Sequence, residues 1–93
     1  MSNTANEVKI NFPENLRAGT YSNNTVVGHT REEFILDFLM VTPPVGTLVS
    51  RIIVSPGHMK RLSRTILENI EKYEAKFGTI QENNVPRDRI NIQ

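Results

Sequence analysis

Ninety-three residues, 38% hydrophobic and 23% charged with a net charge of +1, fit a single globular domain of ordinary composition. That near-neutral balance gives no global pull toward nucleic acid or anionic lipid, so any electrostatic role must be local. The absence of cysteine excludes disulfides and thiolate metal sites and suits a reducing cytosol.

The N-terminal "MSNTANEVKINF" has no basic region followed by an apolar run, so no secretory signal is expected. No apolar run approaches the roughly 20 residues needed to cross a bilayer. The expected location is therefore the cytoplasm, with no membrane partner. Residues 1–17 are polar and interrupted by Pro13, and read as an N-terminal arm. The composition shifts at both ends place a single core domain at residues 18–78. Residues 79–93 form a C-terminal tail in which Val85, Ile90 and Ile92 are the positions able to dock as a short strand.

"GTYSNNTVVGH", Gly19 to His29, is rich in Thr, Val and Tyr and reads as a strand, with Gly28 marking a turn or bulge near its end. Asn23 heads an "NNT" glycosylation sequon, which is idle without a signal peptide. "EEFILDFLMV" admits two readings. As a strand it puts Phe34, Leu36, Phe38 and Met40 on one face, with Glu33, Ile35, Asp37, Leu39 and Val41 on the other. As a helix it has Thr30 at the N-cap, Glu33 closing a capping box, and a stripe of Phe34, Ile35, Phe38 and Leu39. The strand is favoured because the run ends at "TPPVGT", a hairpin-like connection, and the helix stays open.

"TLVSRIIVS" is the clearest strand, with Leu48, Ser50, Ile52 and Val54 alternating with Val49, Arg51, Ile53 and Ser55. Apolar residues on both faces of the second and third strands imply that both faces of the sheet are covered. A long helix follows. Ser55 is a good N-cap, Pro56 fits the first helical position, and Gly78 closes the far end. Met59, Leu62, Ile66, Ile70, Tyr73 and Phe77 recur at the helical repeat as one straight apolar stripe. Lys60, Arg61 and Arg64 lie near its start and Glu68, Glu71 and Glu74 further on, against the preference of the helix dipole.

The stretches "YSNNTVVGHTREEFILDF" and "VSRIIVSPGHMKRLSRTILENIEKYEAKFG" resemble a family of short bacterial and archaeal proteins catalogued as a domain of unknown function. The resemblance covers about Gly19 to Gly78. It implies a strand–strand–strand–helix unit, which supports the strand reading of Phe34 to Met40. It implies no activity and carries no catalytic residues.

Catalysis is not expected. His29 and His58 have no metal-binding spacing, and no phosphate-cradling or nucleophile motif occurs. Glu33 and Asp37, two residues either side of Ile35 on one strand face, are the nearest thing to an acid/base pair. Their plainer role is to keep the sheet soluble. No catalytic residue, cofactor or metal is assigned.

Two binding expectations remain. An anion or nucleic-acid contact would use Ser55 and His58 at the helix start, Lys60, Arg61 and Arg64 on its surface, Arg51 on the preceding strand and Tyr21 for stacking. Alternatively these cations are surface residues whose stems cover apolar atoms. A homodimer would bury the second sheet face, formed by Ile35, Leu39, Val41, Val49 and Ile53. The arm, through Val8, Ile10 and Phe12, or the tail could cover that face instead. The expected fold is α+β: a three-stranded antiparallel meander, a long C-terminal helix packed on one sheet face, and a dimer closed through the other. The expected role is a small non-catalytic binding or assembly module, with nucleic-acid binding as the alternative.

Overall fold

The structure, a computed structural model, describes residues 7–82, so the tail positions Val85, Ile90 and Ile92 lie outside the described residues. The described elements are α1 (Glu14–Arg17), β1 (Asn24–His29), β2 (Phe34–Thr42), β3 (Val45–Val54) and α2 (Pro56–Phe77). The α+β reading with three antiparallel strands and a long helix holds. The chain divides into two compact units, Met1–Ser55 and Pro56–Gln93.

The N-terminal segment contains one turn of helix that periodicity did not reveal. Four residues are too few for a repeat. Glu14 in the first turn and Arg17 in the last suit the dipole, and the Arg17 guanidinium donates to the carbonyl of Phe12 at 3.3 Å. No residue of α1 is buried, and Val8, Ile10 and Phe12 stay exposed, so the arm's apolar side chains bury little surface.

The sheet order is β1-β2-β3. The first strand starts five residues later than Gly19. The segment before it is held by one backbone bond, from the Asn23 N–H to the Leu39 carbonyl at 3.1 Å, and otherwise by side chains. The Ser22 hydroxyl donates to the carbonyls of Asn24 (2.9 Å) and Leu39 (2.8 Å). The Asn23 amide accepts from the N–H of Val41 at 2.8 Å and donates to the same residue's carbonyl at 2.9 Å. This amide stands in for one more ladder pair. The sequon asparagine therefore has a structural duty.

Gly28 marks neither turn nor bulge. It pairs in register with Ile35 inside β1. The turn is Thr30–Glu33, where the Thr30 hydroxyl accepts from the N–H of Glu32 and of Glu33, each at 3.2 Å. The residues that spelled a capping box make a tight turn instead, because a Ser or Thr hydroxyl satisfies nearby N–H groups in either setting. The strand reading of Phe34 to Val41 is the right one.

The second hairpin turns on Pro43 and Pro44, joined by a cis peptide, between the paired residues Thr42 and Val45. Its register then shifts. Leu39 pairs with Leu48 but Phe38 pairs with Ser50, leaving Val49 as the extra residue of a bulge. The simple alternation expected for β3 is broken there: Leu48, three positions before Arg51, shares its face.

The sheet unit supplies all the buried apolar residues among those described: Leu36, Leu39 and Val54. Leu36 and Val54 lie on the face that also carries Phe34, Phe38 and Met40, which are half-buried. Leu39 lies on the other, beside Asp37, Ile35 and Val41.

The helix α2 runs 22 residues, about 33 Å. Pro56 takes its first position, and Gly78, in the left-handed region at φ 94°, ends it. The Glu74 carboxylate accepts from the N–H of Ile80 at 2.9 Å, fixing the exit of the chain. No residue of α2 is buried.

Candidate functional site

Of the five residues expected on the dimer face, Ile35, Leu39, Val41 and Ile53 share one face of the sheet, with one polar feature at its centre. Ile35 sits between Gly28 and Ile53, Leu39 between Asn24 and Leu48, and Val41 opposite Gly46. Ile53 is 53% exposed, whereas Leu39 is buried. Val49 does not belong in this row, because the bulge leaves it unpaired and puts Leu48 in its place.

Between Ile35 and Leu39 lies Asp37, its side chain 8% exposed, flanked by Val26 on β1 and Arg51 on β3. The Arg51 guanidinium grips it through two bonds, Nε to Oδ1 at 2.7 Å and Nη2 to Oδ2 at 2.8 Å. This fork geometry is the strong form of a carboxylate–arginine contact. Arg51 is 51% exposed, so its outer edge still reaches the surface.

The hydrogen bonds from Arg51 hold the Asp37 carboxyl below the usual carboxylate range, helped by the guanidinium charge and opposed by burial. An acid/base carboxyl would need the opposite shift. Nor does Asp37 act as a solvated charge keeping the sheet soluble; it is a buried, paired group on the central strand. Glu33 lies in the preceding turn, outside β2. His29, beside Gly28 and opposite Phe34, stacks on that ring at 5.5 Å between centroids.

A carboxylate with a depressed folded pKa stabilises the fold above its unfolded pKa, and that contribution is lost as pH falls through the lowered value. Asp37→Asn is therefore expected to melt lower than the native chain at neutral pH. The gap should close as pH drops below about 4. Thermal melts of both chains across that range check this, and a gap of constant size would refute the linkage.

The candidate anion-binding residues fall in both units. Tyr21 is exposed, but it precedes β1 and is not a stacking platform on the strand. Arg51 is committed to Asp37. Ser55 immediately precedes α2 and His58 is its third residue, and both already make interactions in the fold. Lys60, Arg61 and Arg64 are exposed on α2, and at about 100° per residue they fan across the side opposite the apolar stripe. The Arg61 guanidinium lies close over Gly57 in the first turn, 3.6 Å from where a Cβ there would stand.

Along the stripe, Met59 and Leu62 are half-buried and the four residues from Ile66 to Phe77 are exposed. Ile66 is 49% exposed, Ile70 38% and Phe77 65%, while Tyr73 and Phe77 stack one turn apart at 5.0 Å. Lys76 reaches back over the Phe77 ring at 5.3 Å. No described helix is long and apolar enough to cross a membrane.

A family model described as "Protein of unknown function (DUF3467)" matches residues 1–82. The chain belongs to that family. The match extends the resemblance beyond Gly19–Gly78 to the N-terminal segment and takes in both units. No curated protein and no solved structure matches the chain.

Proposed function

We propose that this chain is a small, non-catalytic, homodimeric binding or assembly module of the cytoplasm. The observation that carries the reading is the apolar surface left in contact with water. Ile53 and Leu48 on one sheet face, Val27 and Ile52 on the other, and Ile66, Ile70, Tyr73 and Phe77 of the α2 stripe are all exposed. Apolar side chains grouped on one face, as along the α2 stripe, mark an interaction site on a chain this small. A second copy is the simplest cover, because a two-fold axis lets one surface serve twice. The ion pair of Asp37 with Arg51 supports the non-catalytic part of the reading.

Light scattering over a concentration series tests the dimer. The expected result is twice the chain mass, giving way to the monomer on dilution. The monomer mass at every concentration would refute it.

Nucleic-acid binding is the second reading, supported by the exposed fan of Lys60, Arg61 and Arg64. It predicts filter retention of single-stranded nucleic acid that falls steeply with salt. Retention unaffected by Arg61→Glu or Arg64→Glu would remove it.

A further inference from the structure

We infer that the dimer is sealed by α2 lying antiparallel against α2 of a second copy; this rests on the homodimer reading and names the surface. Two independent properties of the helix point there. The first is the spacing of the stripe. About a two-fold axis at the level of Glu68, Met59 falls opposite the partner's Phe77. Leu62 falls opposite the partner's Tyr73, and Ile66 opposite the partner's Ile70. Every apolar residue of one stripe meets an apolar residue of the other, with the thioether of Met59 against an aromatic ring, a favourable contact.

The second property is charge. The N-terminal half of α2, Pro56 to Ile66, carries Lys60, Arg61 and Arg64 and no carboxylate. The half from Leu67 to Phe77 carries Glu68, Glu71 and Glu74 against Lys72 and Lys76. Within one helix this order opposes the dipole. Between antiparallel helices it brings a basic half beside an acidic half twice over, and the dipoles themselves oppose. A parallel pair would set basic against basic. Antiparallel helix seams match each flank with the same flank of the other copy. On the flank that carries Leu67, Lys60 then comes within about 3 Å along the axis of the partner's Glu74. Leu67, 61% exposed beside the stripe, comes within about 3 Å along the axis of its own counterpart and gains a reason for being apolar.

The absence of cysteine makes a direct test possible. Leu67→Cys, Ser63→Cys and Ala75→Cys are each made in the full chain and treated with a short bismaleimide, with light scattering on the same samples. Thiols at Leu67 face each other across the axis and should join on the order of tenfold faster than those at Ala75, on the far side of the helix. Thiols at Ser63 should join no faster than at Ala75, because antiparallel register separates them by about 15 Å along the axis. A dimer whose thiols at Leu67 join no faster than at Ala75, or in which Ser63 joins as readily as Leu67, overturns the antiparallel seam and leaves the homodimer standing. A monomer at all concentrations overturns both.

Discussion

Leu39→Ala is expected to lower folding stability by about 2–3 kcal/mol, the lower part of the range for truncating a buried leucine. Leu39 is 8% exposed at the centre of the sheet, paired to Asn24 on one side and Leu48 on the other. Its carbonyl also receives the Asn23 N–H at 3.1 Å and the Ser22 hydroxyl at 2.8 Å. Those bonds use the backbone and survive the substitution, so the loss is one of packing and cavity. The low end applies because few buried neighbours surround the site. A domain of this size holds only about 5–10 kcal/mol in total, so this loss is a large share. Urea unfolding should show the midpoint shift with little change in slope. Leu48→Ala, at an exposed position across the pair, should cost under about 1 kcal/mol. Equal losses at the two positions would mean that the core is misplaced.

Asn23→Ala is expected to lower stability by about 1–2 kcal/mol, from two hydrogen bonds each contributing a net 0.5–1.5 kcal/mol and trimmed by solvent exposure. The amide pairs with both backbone groups of Val41, at 2.8 and 2.9 Å, and so holds the segment ahead of β1 against the end of β2. The effect should be local. Hydrogen exchange at the Val41 amide should quicken well beyond the global loss of stability, while that of β2 amides bonded to β3 carbonyls follows the global change. Unchanged protection at Val41 would show that the contact is not kept in solution. Thr25→Ala, an exposed β1 substitution, should be nearly silent.

What could be read in advance follows from what periodicity encodes. The bounds of α2 were legible because Pro56 and Gly78 mark its ends chemically and the stripe repeats for five turns. The strand at Phe34 was legible only by leaning on the prolines after it, since Thr30 and Glu33 carry the same signal in a turn as in a cap. The shared face of Asp37 and Arg51 was implied once Ile35 and Leu39 were grouped with Val49 and Ile53, but their cross-strand pairing was hidden by the bulge. Counting back from the two-residue turn at Pro43 and Pro44 aligns Asp37 with Ser50 and sends Arg51 to the opposite face. A bulge leaves no residue type in the sequence that announces it. The one-turn α1 and the side-chain pairing of Asn23 were invisible for a related reason, being too short to repeat. At the candidate surfaces, the stripe and the basic fan of α2 were readable from spacing alone. The neutralised centre of the sheet face was not.

The bulge also determines where this hairpin tolerates a change of length. Excising Val49 would restore strict two-residue parity while every remaining cross-strand neighbour keeps its mate, Arg51 still clasping Asp37. Excising Ile52 instead, three positions downstream, would throw Ile53 and Val54 onto opposite sides from those they now occupy. One strand thus contains a dispensable link and an indispensable one of nearly equal greasiness, and hydropathy cannot tell them apart.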